Sequence, residues 1–467
     1  MKKIFAAVAA LVMTSTSMWA GGILTNTNQS VDFLRNPSRD AAIGLDGVYS
    51  NPAGVVFMPE GFHLGINWQY AHQTRTITST NPAFRMGKKN NPNSSTKVFE
   101  GVANAPVIPS IQLAYNKENW SLQANLSVPG GGGACEFDDG LGSFESVVGN
   151  IATMLGAMPG PLKAQGYDMD GYMRGRQYYY GVTIGAACKV IPNLSVYGGL
   201  RMIYGDATYK AKISNIQVKT ASGYVDFGSY LQQAAAAGAS AQVAPLQKYS
   251  DGVNLLCNQD GVGFAPIVGI DYKLNKFNFA AKYEFRTQLR MKNESSLNEA
   301  SEIQAVNKFR DGEKVNEDMP ALLTIGVQYS PIDIVRINAG WHHYFDNQVS
   351  WYGNVQDKLS HNTNELLLGA EWDTTENLTF SAGGQMTWYG NTDEYINDMS
   401  YVVNSYSIGF GFSYKLSKIV SVKAAYFQTV YGDYDKVTAR DANGNMTVGD
   451  TFTRSNRVFG VGCQLDL

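Results

Sequence analysis

Beyond Pro59 the chain alternates apolar and polar positions with a period of two. Phe62, Leu64, Ile66, Trp68 and Tyr70 interleave with His63, Gly65, Asn67, Gln69 and Ala71, and the signature recurs at 120–128, 194–204, 277–286 and 459–467. Successive side chains of a strand point to opposite faces, so each segment has one oily face and one wet or small one. Soluble sandwiches alternate too, and the connections separate the two cases. Short turns at 116–119, 192–193, 275–276, 331–333, 374–377 and 417–418 interchange with long connections at 80–105, 130–174, 207–260, 291–319, 350–361, 390–400 and 432–454. Strict short and long alternation belongs to a transmembrane barrel, with tight periplasmic turns and longer outer loops. About fourteen strands lie between these connections, an even number as bacterial barrels have. The expected fold is therefore all-β, a transmembrane antiparallel β-barrel of about fourteen strands. Closure satisfies every backbone group in hydrocarbon, which an open sheet cannot do. Aromatic residues bunch near strand ends, as in Trp68 with Tyr70, Tyr178 with Tyr180, Trp341 with Phe345 and Tyr426 with Tyr431, the pattern of an interfacial girdle.

The first residues do not share the pattern. Lys2 and Lys3 precede an apolar run, 4–13, and small residues up to Ala20, so 1–20 reads as a secretory signal, with cleavage after Ala20 or after Ser17. From 21 to 58 the chain is rich in Gly, Asn, Ser and Asp without a sustained period, which predicts an irregular plug ahead of a barrel at 59–467. Its apolar residues Ile23, Leu24, Phe33 and Leu34 need cover, and a barrel lumen supplies it.

Composition narrows the partners. Only 16% of the 467 residues are charged and the net charge is -3, so no basic excess points to nucleic acid. No mature segment is long and apolar enough for a spanning helix. Five histidines without metal-ligand spacing argue against a metal site, and no cofactor is indicated. Cys135 and Cys257 fall in long predicted loops on one side, where an oxidising compartment permits a bridge; spacing leaves a bridge and two free thiols equally open. Cys188 and Cys463 take outward strand positions, as small hydrophobes do.

Two features oppose an open aqueous pore. The plug is the first. The second is Val128-Pro129-Gly130-Gly131-Gly132-Gly133, where the third strand should be finishing. Proline removes a ladder donor and four glycines permit a sharp bend, so either the wall has a gap here or a flexible loop begins. By parity Tyr197, Ile203, Ile267, Leu322, Leu367, Tyr389, Phe427 and Val458 point inward although apolar or aromatic; some would line a pocket and others pack the plug. The candidate ligand-binding set is Ile23, Leu24, Tyr197, Arg201, Ile203, Leu322, Leu367 and Phe427. Arg201, Lys282, Arg286, Arg336 and Lys423 are inward cations, expected mainly as lumen ion pairs.

Asn51-Pro52-Ala53 joins the irregular segment to the first strand, the glycine run ends the third, and Glu136-Phe137-Asp138-Asp139 follows it. In these residues, and in the order of plug, strands and outer loops, the chain resembles the FadL family of outer-membrane transporters for long-chain fatty acids and other hydrophobic compounds. That family's hatch carries an Asn-Pro-Ala motif, and its kinked third strand opens a lateral window. The resemblance covers essentially the whole mature chain. It implies ligand-gated passive uptake of a hydrophobic small molecule, with long-chain fatty acids foremost and no enzymatic activity. Asn51, Pro52 and Ala53 would gate, and Pro129, Gly130, Gly131, Gly132 and Gly133 would form the opening. Outer loops at 144–161 would capture the ligand, although their helical apolar spacing more often marks a helix packed on the loop crown than a binding site. It further implies a monomer in the outer membrane of a Gram-negative bacterium, in contact with outer-membrane lipid and lipopolysaccharide. Two rival readings are a general diffusion porin and an outer-membrane lipase-like enzyme built on the outward His343, for which no neighbouring outward Ser-His-acid set is evident.

Overall fold

The computed structural model describes Thr25, residues 30–296 and residues 304–467. The expected signal at 1–20 with its cleavage site, and Ile23 and Leu24, lie outside the described residues. Fourteen long strands make one ring: β1 (Gly61–Thr80), β2 (Thr96–Lys117), β3 (Trp120–Phe137), β4 (Gly166–Ile191), β5 (Leu194–Thr220), β6 (Val253–Leu274), β7 (Phe277–Glu284), β8 (Leu322–Ile332), β9 (Val335–Tyr344), β10 (Asn364–Asp373), β11 (Leu378–Trp388), β12 (Ser405–Lys415), β13 (Val420–Tyr431) and β14 (Met446–Asp466). Each pairs antiparallel with the next, and β14 returns to β1 from His63↔Asp466 to Thr80↔Gly449. Shorter strands at Gly223–Asp226, Arg290–Ser296, Lys314–Asn316 and Tyr434–Arg440 extend the ring at its long-loop end.

The burial pattern is that of a soluble protein turned inside out. Ile184 and Leu368 are 65% and 62% exposed on the outer face, while Gln123 and Asn125 are 3% and 2% exposed inside. An outward apolar band around a closed ladder is the arrangement a bilayer requires. Aromatic pairs sit on that outer face, among them Tyr178 on Tyr180 at 5.9 Å and Trp68 against Phe459 at 6.5 Å.

At the loop end the strands overrun the expected boundaries. The alternation predicts loops from 130 to 174 and from 207 to 260, yet β3 runs to Phe137, β4 starts at Gly166, β5 reaches Thr220 and β6 starts at Val253. β4 and β5 have 26 and 27 residues, where about 9–11 cross a bilayer. Above the apolar band the outward side chains become polar, as at Arg174, Lys210 and Lys212, so the hydropathy signal fades while the ladder continues. Cys135 and Cys257 therefore lie on strands rather than in loops, as buried free thiols.

Residues 30–58 fill the lumen. Helix α1 (Val31–Arg35) begins at Ser30, whose Oγ accepts the Phe33 N–H at 3.2 Å. Its Val31 and Leu34 are fully buried against Ala425, Phe427 and Val458 of the wall. Inward glycines make this approach possible: a Cβ at Gly340 would overlap the Asp40 carboxylate, and one at Gly369 the Asn36 amide. Two further helices, α2 (Gly142–Leu155) and α3 (Phe227–Ala234), belong to the outer crown.

Candidate functional site

The Asn-Pro-Ala turn clamps the plug to the wall. Asn51 Nδ2 donates to Asp271 Oδ2 on β6 at 2.6 Å, and Asn51 Oδ1 accepts the Gly54 N–H at 3.2 Å. The Pro52 carbonyl accepts from Gln123 Nε2 of β3 at 2.8 Å, and the Ala53 carbonyl from Ser195 Oγ of β5 at 2.6 Å. A tight turn leaves its carbonyls without ladder partners, and inside a lumen those groups need side-chain donors. The motif thus ties three wall strands to one turn.

Ion pairs hold the rest of the plug. Glu371 of β10 receives Arg35 at 3.0 Å and Arg39 at 2.8 Å from the plug, and Arg336 at 3.0 Å from β9. Lys423 of β13 reaches Asp32 at 2.5 Å. Burial alone would raise the Asp32 carboxyl, but Lys423 and Arg35 beside it hold it far below the usual carboxylate range. His342 of β9 spans Asp40 of the plug and Glu365 of β10, each at 2.9 Å. Arg201 pairs with Glu284 at 2.5 Å, Lys282 joins the same carboxylate at 2.6 Å, and Lys282 also donates to the Tyr49 carbonyl at 2.8 Å. Arg286 donates to the Gln348 carbonyl at 2.6 Å. All five inward cations named from parity are engaged.

The eight inward apolar positions named from parity are all buried. Tyr197 packs with Ala53, Val56 and Ile267 beneath the plug, and Phe427 faces Phe33 at 5.7 Å. Ile203 and Leu322 join a larger apolar cluster in the upper lumen with Tyr179, Tyr209, Met291 and Trp351. Leu367 is buried on β10. Leu322 also borders a space of about 40 Å³ between plug and wall, together with Phe33, Tyr49 and His342. The described members of the candidate ligand set are thus dispersed through the lumen rather than gathered in one pocket.

Among the described residues, a mainly apolar cavity lies in the crown. It holds about 270 Å³, walled by Phe144 and Val147 of α2, Tyr209 and Ile213 of β5, Leu255 of β6 and Phe309 of a loop. The helical spacing at 144–155 does make a helix. Val148, Ile151, Met154 and Leu155 pack it in one cluster with Tyr167, Phe227 and Tyr230, and Phe144, Val147, Val148 and Ile151 border the space. Sequence reasoning missed the other walls, because they come from loops and strand tips far apart in the chain.

The ladder between β2 and β3 is interrupted. Pairing runs from Lys117↔Trp120 to Ile111↔Leu126, then resumes only at Asn104↔Ala134. Residues 105–110 and 127–133 have no register with each other. Pro129 turns inward onto Gly181 of β4, where a Cβ would come within 3.0 Å of its ring. β3 bulges twice against β4, between Ser127 and Gly130 and between Gly131 and Gly133. Gly131 has φ +98°, and a Cβ there would overlap the Gln177 carbonyl oxygen, so any side chain at this position would force the bend to change. The facing edge contributes Pro106 and Pro109, just past the expected connection at 80–105; neither has an N–H to offer. Behind this stretch Ala105 and Ile108 of β2 belong to one apolar cluster with Val31, Phe33 and Leu34 of α1.

His343 hydrogen-bonds two asparagines, Asn364 at 2.8 Å and Asn362 at 3.3 Å, and its ring meets Phe345 at 4.7 Å.

A closed ring of fourteen strands, oily outside, plugged within and interrupted in one ladder, defines a plugged transmembrane β-barrel. Its fold is the one found in solved transporters of the FadL family. A FadL homologue of Pseudomonas aeruginosa matches with TM-score 0.64 at 13% identity, over 95% of this chain and 99% of that one. The Pseudomonas putida toluene transporter TodX matches with TM-score 0.59 at 14% identity, over 97% and 100%. The Ralstonia pickettii toluene transporter TbuX matches with TM-score 0.51 at 16% identity, over 97% and 99%. At such identities the likeness is one of fold. No protein-family model and no curated protein matches the chain.

Proposed function

We propose that this chain is an outer-membrane channel through which hydrophobic small molecules enter a Gram-negative cell by passive diffusion, gated by the ligand. The interrupted β2–β3 ladder carries the reading, because an apolar cluster of plug and wall lies behind it. Cargo captured in the crown cavity would descend along the apolar upper lumen, shift the plug and leave sideways between Pro106–Pro109 and Pro129–Gly133. A chain gains about 0.8 kcal/mol per CH₂ in hydrocarbon, so a route ending in water would hold it back. The toluene transporters among the solved neighbours support an oily cargo. The family resemblance adds long-chain fatty acids. The protein acts as a monomer in contact with outer-membrane lipid and lipopolysaccharide. In this scheme 21–58 is the hatch and 59–467 the barrel.

The test is uptake of radiolabelled hexadecanol and palmitate by cells without another such channel. The wild-type chain should raise uptake of at least one probe, and Gly131→Val should reduce that uptake at least ten-fold while the barrel still inserts. Unchanged uptake in an inserted Gly131→Val variant would remove the lateral route. Rapid swelling of liposomes in sugars by the wild type would show a general porin instead.

A further inference from the structure

The crown cavity is apolar over most of its wall and charged at one place. Among the described residues that border it, Lys436 is the single cation, and Asp398 and Asp450 are the anions. All three are anchored. Asp398 Oδ2 accepts the Ser143 N–H at the start of α2 at 2.7 Å, and Asp450 Oδ1 accepts from Ser79 Oγ at 2.5 Å. Lys436 Nζ donates to the Ile396 carbonyl at 2.6 Å. The polar end therefore holds two fixed acids against one ammonium, which donates to a backbone carbonyl.

This arrangement discriminates among oily molecules by their head groups. A ligand carboxylate would set a third acid beside Asp398 and Asp450 in a largely apolar space, where like charges repel strongly. An ionised carboxylate can only accept hydrogen bonds, so two of them favour a ligand end that donates. Ser79, Ser143 and Asn150 border the same space and add neutral partners. Size narrows the class further. An apolar cavity of about 150 Å³ holds benzene, so about 270 Å³ admits one substituted ring or a chain of similar bulk.

We propose that the crown cavity selects hydrophobic molecules whose polar end is an uncharged hydrogen-bond donor, of the alkylphenol or alcohol class, and excludes carboxylates. The proposal rests on the crown cavity being the capture site of the channel described above.

The experiment is calorimetric binding at pH 7.5 to the purified full-length protein in detergent, with 4-hexylphenol, 4-hexylbenzoate and 4-hexyltoluene as probes of equal bulk. The phenol should bind at least ten-fold tighter than the benzoate, with the toluene derivative between them. Asp398→Asn combined with Asp450→Asn should shrink that ratio below three-fold. Wild-type binding of the benzoate as tight as that of the phenol overturns the selection. Val147→Trp, which fills the space, should abolish phenol binding. If it does not, or if no probe binds the wild type, the cavity is not the capture site, and that failure is distinct from a wrong head-group preference. Should the double variant lose its heat-modifiable migration, and so its fold, the wild-type ratio alone decides.

Discussion

The plug end of the lumen and the crown are both packed, but by opposite means. Around the plug, directional bonds dominate: Asn51 to Asp271, Arg35 and Arg39 to Glu371, His342 between Asp40 and Glu365. In the crown, Phe144, Val147, Tyr209, Leu255 and Phe309 meet through non-directional apolar contact. Charge networks have discrete arrangements, made or broken, which would suit the shifting plug of the proposed channel. Apolar contacts can be exchanged one for another, which would suit its proposed capture surface. In that proposal, seal and reception are chemically separated.

Glu371→Ala gives the largest expected effect on that contrast. It leaves three guanidiniums facing an empty site, and removing one partner of a buried ionic network costs about 3–5 kcal/mol. The plug should loosen and single-channel conductance in planar bilayers should rise. Phe309→Ala in the crown removes a fully packed ring at a similar cost of about 3–5 kcal/mol, yet should leave conductance closed. Equal conductance in the two variants would abolish the distinction drawn between the regions.

Next comes a pH effect confined to the crown. Asp346 sits in the loop after β9, accepts the Thr363 N–H at 2.9 Å, and is pushed up to about 6 by burial from an ordinary 3.8. Its folded form binds a proton more tightly than its unfolded form. The loop is therefore stabilised while Asp346 stays protonated and loses that stability as pH rises from about 4 through 6, by roughly 2–3 kcal/mol. Hydrogen exchange across 345–363 should quicken over that window, and Asp346→Asn should flatten the dependence. A wild-type profile that is flat from pH 4 to 7 would refute it. Asn51→Ala follows, with a loss of about 1.5–3 kcal/mol for a hydrogen bond to a carboxylate. It should raise plug proteolysis without altering crown exchange; proteolysis at the wild-type rate would reduce the motif to an ordinary turn.

These regions also differ in how far the sequence discloses them. Inward parity survives folding because a strand cannot change faces without a bulge, so Tyr197, Ile203 and Phe427 are inside as alternation requires. What parity omits is the partner. Asn51 and Asp271 are 220 positions apart, and nothing local ties them. The crown walls gather from α2, β5, β6 and a loop, with no shared period to reveal them. Strand ends at β3–β6 were hidden because the outward face turns polar above the bilayer while the backbone pattern persists.

Pro106 and Pro109 offer the smallest energetic change and the sharpest test of where the proposed channel would release its cargo. The unpaired stretch has two edges, and the glycine-rich edge on β3 bends inward while the β2 edge stays beside β1, with a single irregularity between Gln69 and Ala71. A bent strand opposite a strand full of donors could be re-paired by a small relaxation, whereas a strand lacking the N–H at 106 and 109 cannot complete that ladder. Replacing both with Val restores two donors, each worth about 0.5–1.5 kcal/mol when bonded. The Pro106→Val, Pro109→Val variant should therefore be slightly more heat-stable on gels and take up less labelled probe, with crown binding of 4-hexylphenol unchanged. Loss of uptake with binding retained places the exit at this edge. Full uptake with raised stability would show that the β3 kink alone keeps the wall apart, and the prolines would then have no part in release.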